Sequence, residues 1–545
     1  MSENVNNTAA THADEWNDSL SGDYLWSNVN FGEAVTDVMT PLTWSVIQFT
    51  LDDWVFLPGM PTVGVIGGRP YLNISIFATL FYGMGCSRQD LLSYMESTLY
   101  MRLPDEMPIP SIPVSRGTLL RGMFCSLGVQ FKQRRGIQKA PAYLDSNKAW
   151  FQAIRKALQS RTTGSGLCNL WHAEMRPHVK NGVWCVLGSV AHSAEYTLKL
   201  RRQLAGLVGP EDATILIANL SAEDAPLESL GPVAGIDKLA RGAVSRAAYL
   251  ENYGHRGPQE FELSVPRPAE DPTWLEQELE KIRRSPVDVE DLMAKQRRSF
   301  EAAWKRLQAH SSRAARRFSR KIAESAHRAR LRELARSAYV RDRWAIRLFA
   351  VRAGELTGLG DQIFYLTLGE LLALLSGDRS VTQAIGPRME AYQQYKSLPP
   401  YPAVIRGRFD PFAWAADPNH PTDIFDAHKA DTRGLDPDLV VGSPGSAGIV
   451  EGIVRVIDHP GTGDLLQRGE IMVAVQTDIA WTLLFPRAAA VITDIGAPLS
   501  HAAIVARELG IPAVVGCGNA TAILRTGDRV RVDGGQGTVE ILRQA

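Results

Sequence analysis

Apolar positions follow several different rhythms along this chain, and each rhythm predicts a different kind of element. From Trp26 to about Gly85 aromatic and aliphatic residues crowd together and Gly and Pro cut them into short pieces. The stretch "PTVGVIGGRPYLNISIF" predicts two short strands around a Gly-Gly turn, a hairpin with Arg69 just beyond it. Residues 145 to 255 carry apolar side chains at helical spacing between short loops, as in "SAEYTLKLRRQLAGLVG", where the last glycine supplies a stop. From Pro272 to about Leu356 the pattern is helical with very little Gly or Pro, and "GDQIFYLTLGELLALLSG" predicts a buried element followed by a helix ending at Gly377.

The rhythm then stops. Pro and Asp accumulate between residues 410 and 443, which reads as a linker. Beyond it, "GIVEGIVRVI", "IMVAVQ", "AAAVITD", "PAVVG" and "RVRVDGGQGTVEIL" are short Val/Ile/Ala runs between glycine turns, predicting a small α/β domain over 444–545. Residues 1–23 are polar and acidic and read as a mobile tail. The expected fold class is therefore α/β: a largely helical region over 24–409, holding the segment 272–356, plus the small C-terminal domain.

Composition narrows the partners. The 545 residues hold 59 basic and 59 acidic side chains, so no net charge draws the whole chain toward nucleic acid or an anionic membrane. Five scattered cysteines without CxxC spacing predict neither a disulfide framework nor a metal site, and point to a reducing cytoplasm. The first residues lack the basic start and apolar centre of a secretory signal, and no apolar run reaches the roughly 18 residues that span a bilayer.

Charge is uneven locally. Between Ser311 and Ala350 twelve Arg or Lys face three acids, Glu324, Glu333 and Asp342. Arg332 and Arg336 share a helix face, as do Arg343 and Arg347. A stripe of this kind fits a solvated face, a nucleic-acid arm or a phosphate pocket. Upstream, "YGHRGPQEFELSVPRPAEDPTW" is too rich in Gly and Pro to be regular, yet gathers His255, Arg256 and Glu260 within six residues.

The densest chemistry lies near the end. "AAVITDIGAPLSHAAIVARELGIPAVVG" reads strand, Gly-rich loop, helix, Gly stop, strand, with Ser500 as N-cap and the helix running from His501 to Leu509. Ile504, Val505 and Leu509 fall on its buried face, and His501 is expected to point outward at the first turn. There the free N–H groups and positive dipole end lower the imidazole pKa and favour an anion attached to the ring. A neutral imidazole so placed suits accepting and holding a phosphoryl group.

Residues 493–516, "TDIGAPLSHAAIVARELGIPAVVG", with "GDRVRVDGGQGTVEIL" after them, closely resemble the swivelling phosphohistidine domain of phosphoenolpyruvate-utilising enzymes. The shared positions include Ser500, His501, Ala502, Ala503, Ala506, Arg507, Gly510, Ile511, Pro512, Ala513 and Gly516, and "TDIAWTLLF" resembles the segment that precedes them. Ala497 and Pro498 depart from the family pattern and bear on loop mobility. "WSNVNFGEAVTDVMTPLTWSV", "YGHRGPQEFELSVPRPAEDP", "GDQIFYLT" and "LPPYPAVIRG" resemble the acceptor-binding region of the rifampicin phosphotransferases in that family.

The resemblance implies a catalytic set of His501 as phosphoryl carrier, His255 as base for an acceptor hydroxyl, and Arg332 and Arg336 facing the phosphoryl oxygens. It implies Arg256, Glu260, Trp44 and Arg69 as substrate-binding residues, with Thr493, Gly496, Ser500 and Arg507 shaping the phosphohistidine loop and no metal held by this chain. Neither an ATP-grasp module before residue 24 nor a pyruvate-binding barrel after the histidine domain is expected. ATP and Mg2+ would then sit on a separate ATP-grasp subunit that charges the histidine and leaves AMP and phosphate. Such two-subunit systems resemble phenylphosphate synthase and 4-cresol phosphotransferases, and the aromatic N-terminal region suits a small phenol. A rifampicin-like antibiotic acceptor, a phosphocarrier using phosphoenolpyruvate, and a regulatory nucleic-acid-binding protein are the competing readings; neither nucleic acid nor membrane is expected as a partner.

Overall fold

The computed structural model describes residues 16–543, apart from 30, 33, 96–102, 104–106, 219–229, 285–288, 419, 429–438 and 499. The fold is α/β, with two sheets separated in sequence by a long helical region.

The first sheet closes the two ends of the helical region together. β1 (Leu25–Ser27), β2 (Val63–Ile66) and β3 (Arg69–Asn73) come from the start of the chain, and β4 (Val404–Arg406) and β5 (Ile424–Asp426) from beyond residue 400. The strand order is β2-β3-β1-β4-β5, with β1 antiparallel to both β3 and β4. The predicted hairpin is present. Its two turn residues, Gly67 and Gly68, have φ of 51° and 75°, which a two-residue turn matching strand twist requires at both positions.

Two expectations need correction here. Residues 1–15 of the expected tail lie outside the described residues, but 16–23 are folded. Trp16 is buried and stacks on Tyr395 at 5.9 Å, and the Asn17 side chain donates to the Phe409 carbonyl. The expected linker likewise carries structure through Asp426. Asp410 caps the short helix Pro411–Ala416 and the buried Trp414 packs on Tyr401 and Phe409, while β5 pairs in parallel with β4. Burial of that indole outweighs the local preference of Pro and Asp for irregular chain. Residues 429–438 of the linker lie outside the described residues.

Between the strands runs the helical region. Its elements are α1 (Pro41–Leu51), α2 (Ile74–Gly83), α3 (Arg88–Tyr94), α4 (Arg116–Ser160), α5 (Gly164–Leu170), a π-turn (Trp171–Met175), α6 (Arg176–Leu216), α7 (Gly231–Ala240), α8 (Arg246–Tyr253), α9 (Pro272–Arg284), α10 (Val289–His310), α11 (Ser312–Thr357), α12 (Leu368–Leu375) and α13 (Ile385–Lys396). The expected helical stretch over 272–356 is thus three helices, the last capped by Ser311. α4, α6 and α11 form a bundle whose core includes Phe151, Ile154, Val179, Val183, Ile346 and Phe349. Glycine sets the α4–α6 spacing: a Cβ at Gly136 would stand 2.1 Å from the Trp184 carbonyl oxygen. The N-terminal aromatics pack on one another, with Phe56 and Phe77 rings 5.1 Å apart and Phe81 and Tyr94 5.0 Å apart.

The C-terminal domain is a second, eight-stranded sheet. β6 (Leu439–Val441), β7 (Ser443–Ser446), β8 (Ile449–Val456), β9 (Ile471–Ala474), β10 (Ala490–Thr493), β11 (Ala513–Val515), β12 (Arg529–Asp533) and β13 (Thr538–Arg543) lie in the order β6-β13-β12-β8-β9-β10-β11-β7. β8, β9, β10 and β11 are mutually parallel, and the outer pairs are antiparallel. Between β10 and β11 runs α14 (His501–Leu509) as a crossover helix. The parallel strands β9, β10 and β11 are fully buried, as their uninterrupted apolar runs require.

This domain is docked on the helical region at several points. Leu230 and Val233 join its core against Trp481 and Leu484. Gln296 donates to the Arg507 carbonyl at 2.9 Å, and Gln476 donates to the Thr36 carbonyl at 2.8 Å.

Candidate active site

The helix bearing the histidine starts and stops where the sequence predicts. Ser500 has extended backbone and its hydroxyl accepts from the Ala503 N–H, while Gly510, at φ 65°, ends the helix in the left-handed region. His501 is the first helical residue. The expected outward orientation is corrected: His501 is only 4% exposed. The loop after β9 closes over it. The Thr477 hydroxyl lies 3.2 Å from Nδ1, the Thr482 hydroxyl 3.0 Å from Nε2, and the Phe485 ring meets the imidazole edge-on at 5.9 Å.

The imidazole pKa is held well below its ordinary value, chiefly by burial and then by the positive charges of Arg336 and Arg256. The direction is the one expected for the helix start, but burial is its main cause. At pH 7 the ring is neutral, with lone-pair density on one nitrogen, and so nucleophilic.

The expected loop residues surround this helix start. Arg507 reaches back from the last turn of α14 and donates to the carbonyls of Gly445 and Pro498, fixing the loop to β7. The Thr493 hydroxyl is buried without a hydrogen-bond partner. Gly496 packs its carbonyl 2.5 Å from where a Gly516 Cβ would stand, so the glycine allows the two turns to approach.

The helical region meets the histidine loop at an ionic cluster. Arg256 Nε donates to Glu260 at 2.7 Å, and Arg336 lies 3.4 Å from the same carboxylate. Burial raises the Glu260 pKa, but Arg256 and Arg336 outweigh it and hold the group below its ordinary value. Beside them Gln259 adopts φ 47°, the only left-handed residue other than glycine among those described, and its N–H donates to the Asp478 carboxylate at 3.2 Å. Burial, helped by the nearby Glu260 charge, pushes Asp478 up to about 6.

The arginine stripe resolves into different environments. Along the C-terminal half of α11 the guanidinium groups hold the irregular loop over 255–270. Arg336 reaches Glu260, Arg341 lies 3.3 Å from His255 Nε2, Arg343 donates to the Phe261 carbonyl, and Arg347 donates to the Leu263 and Ser264 carbonyls and to Glu270. A loop rich in Gly and Pro cannot satisfy its own carbonyls, and fixed cationic donors do so from outside.

His255 and Arg332 lie within this packed layer. His255 is buried, with Nε2 3.0 Å from the Ser337 hydroxyl, and burial followed by the Arg341 charge holds its pKa well below the ordinary value. Arg332 Nε donates to Glu333 at 3.0 Å, and its terminal nitrogen Nη2 is buried without a hydrogen-bond partner. Trp44 packs with Met39, Ile47 and Phe261, next to the same loop. Arg69 stands over the Tyr401 ring at 4.0 Å and 3.8 Å from Asp37, in the first sheet.

Of the residues expected at the site, the structure brings His501, Arg256, Glu260 and Arg336 together and sets His255 and Arg332 in the packed layer beside them; the sequence reading did not name Thr477, Asp478 and Thr482. The signal was present in "TDIAWT", where two threonines and an aspartate bracket one short turn. No group of three or more His, Cys, Asp or Glu suited to a metal occurs among the described residues.

Comparison with known proteins bears out the resemblance. Residues 466–537 match the PEP-utilising enzyme mobile domain, and residues 153–333 match the rifampicin phosphotransferase fourth domain. The chain is 33% identical over 311 residues to the prodigiosin synthesizing transferase PigC of Serratia marcescens, covering 54% of this chain and 33% of that protein. It is 34% identical over 182 residues to the rifampicin phosphotransferase of Bacillus cereus, or 33% of this chain and 19% of the relative. A probable phosphoenolpyruvate synthase of Staphylothermus marinus is 48% identical over 103 residues, 18% of this chain and 12% of the relative. The chain thus spans about a third or less of these relatives.

Proposed function

We propose that this chain, similar to the PEP-utilising enzymes through its C-terminal domain, is a phosphotransferase in which His501 carries a phosphoryl group to an acceptor hydroxyl. The observation that carries the reading is the placement of a buried, neutral imidazole at a helix N-terminus under the field of Arg336 and Arg256.

The reaction divides into two transfers. A ring nitrogen would attack the β-phosphorus of ATP held with Mg2+ on an ATP-grasp polypeptide; the bond to the α-phosphate breaks and AMP leaves, and water then cleaves the β–γ anhydride, releasing phosphate and leaving one phosphoryl group on the ring. The acceptor oxygen then attacks the phosphorus, the N–P bond breaks, and the electron pair returns to the imidazole. The transferring group has a loose, anionic transition state that needs alignment and positive charge. Arg336 and Arg256 supply that charge, and the unpaired Nη2 of Arg332 and hydroxyl of Thr493 are donors in reserve.

The acceptor proton needs a base. His255 was the expected one, but Arg341 and Ser337 occupy its Nε2 and its depressed pKa makes it a weak proton acceptor. Asp478, with its pKa near neutrality and its place in the turn between the two threonines that flank His501, is the better base. We propose a small phenol, such as phenol or 4-cresol, as acceptor. The match of residues 153–333 to the rifampicin phosphotransferase fourth domain favours a second reading, a larger antibiotic acceptor.

The test is reconstitution with an ATP-grasp protein and β-labelled ATP. The reading expects acid-labile label on His501, none on His501→Ala, and chase of the label onto phenol, 4-cresol or rifampicin. Absence of labelled histidine in the reconstituted system overturns the carrier role; label that passes to none of the three acceptors overturns only the choice of acceptor.

A further inference from the structure

Away from His501, a cleft of about 580 Å3 lies between α4 and α6 and is walled by cations. Lys132, Arg135 and Lys139 line it from one face of α4, at spacings of three and four residues. Arg176 and Lys180 face them from the first turns of α6, with His172 one turn earlier. His172 sits in the π-turn Trp171–Met175, an irregularity that helices acquire disproportionately at functional sites.

Charge in the cleft is not balanced. Its carboxylates are Asp53, 3.0 Å from Lys132 and 3.7 Å from Lys180, and the neighbouring Asp52, which also pairs with Lys180. Among the described residues Arg135, Lys139 and Arg176 have no carboxylate within ion-pair distance. Along α4 the sequence offers Arg135 and Lys139 none either, for no Asp or Glu occurs between Met107 and Leu144, and Glu174, two residues before Arg176, does not pair with it. The walls are also stiff. α4 and α6 meet at Gly136 and Gly188 with backbone against side-chain-free backbone, and Trp184 and Phe49 present ring faces beneath Lys132 and Lys180. Like charges held apart on rigid helices raise one another's energy, and a multiply charged anion relieves that repulsion.

We propose that this cleft binds an anion carrying two or more phosphate groups, either inorganic or on a nucleotide. Its size falls within the range of small-molecule sites, and two opposed sets of cations fit two phosphates better than one. The site is independent of the phosphohistidine reading, since none of its residues belongs to the His501 cluster.

Calorimetric titration of the full chain with inorganic pyrophosphate and, separately, with ADP tests this. The proposal expects saturable binding that weakens steeply between about 50 and 200 mM salt. Each of R135Q, K139Q and R176Q should weaken it about tenfold, the loss of one charged hydrogen bond. His501→Ala should leave it unchanged. Tighter ADP binding assigns the site to a nucleotide, and equal or tighter pyrophosphate binding to an inorganic anion. Circular dichroism checks that the variants fold, and Arg313→Gln, on an exposed turn of α11, serves as a charge-matched control. Absence of binding to both probes at millimolar concentration, or binding that the three variants leave intact, overturns the proposal.

Discussion

The N–H of Gln259, a residue held at φ 47°, donates to the carboxylate of Asp478 at 3.2 Å, joining the loop of the helical region to the turn that covers His501. A side chain in left-handed backbone costs on the order of 1 kcal/mol or more, so neighbouring contacts must hold it there. Those contacts are the Arg256–Glu260–Arg336 cluster on one side and Asp478 on the other. The docked position of the C-terminal domain and the conformation of the 255–270 loop are thereby coupled.

Asp478 makes that coupling depend on pH. Its pKa rises from 3.8 unfolded to about 6 folded, so the folded state holds the extra proton. The stabilisation is fully present below about pH 4 and is lost as pH rises through 6. Asp478→Asn removes the charge and keeps one oxygen for the Gln259 N–H, giving up the bond from the Ala480 N–H at every pH. Melting of wild type and variant measured in parallel at pH 5 and pH 8 should show the variant gaining on wild type by about 1 kcal/mol at the higher pH. An identical difference at both pH values counts against the shifted carboxyl.

His501 works in the opposite direction. Its folded pKa lies below the unfolded value near 6.5, so protonation at low pH favours undocking or unfolding, and stability falls as pH drops below about 6.5. His501→Phe, which cannot titrate, should flatten the acid limb of the melting profile between about pH 6.5 and 5. A limb unchanged by the substitution would mean that the ring is not buried neutral in solution.

The threonines bracketing the ring should act on the second transfer. Thr482→Val keeps shape and removes the hydroxyl 3.0 Å from Nε2, so acceptor phosphorylation should fall about tenfold while charging of His501 by the donor persists. Single-turnover measurement of the two half-reactions separates them. Equal loss in both would place Thr482 in the charging step instead.

Glu260 is the shared anion of two arginines inside the protein. Glu260→Gln leaves Arg256 buried without its carboxylate and should destabilise the chain by about 3 kcal/mol, read as a lower denaturant midpoint. A change under about 0.5 kcal/mol would show that the cluster opens to water in solution.

Two glycines of the same helix should behave differently. Gly136→Ala puts a methyl 2.1 Å from the Trp184 carbonyl and must push α4 from α6, at a cost of about 2 kcal/mol or more. Gly128→Ala meets nothing within 4 Å and should gain up to about 1 kcal/mol from helix propensity. Thermal melts of the pair check this, and equal effects would refute close packing at residue 136.

Much of the C-terminal domain was legible because its information is local. The cap at Ser500, the apolar run of α14, the stop at Gly510 and the buried strands on either side depend on residues close in sequence, whose propensity and periodicity agree. The hairpin at Gly67 and Gly68 was readable for the same reason. What the sequence could not reveal was the exposure of His501, since Thr477, Thr482 and Phe485 cover it from a turn about twenty residues away. Nor could it sort the arginines of α11. Arg336, Arg341, Arg343 and Arg347 share helical spacing with the solvated arginines before them, and only the path of the 255–270 loop along that helix turns them into its anchors. Local composition thus determined the elements and the place of the candidate histidine at a helix start. The tertiary structure decided its burial, its charge state and the groups that face it, because desolvation and Coulomb interactions depend on distance in space.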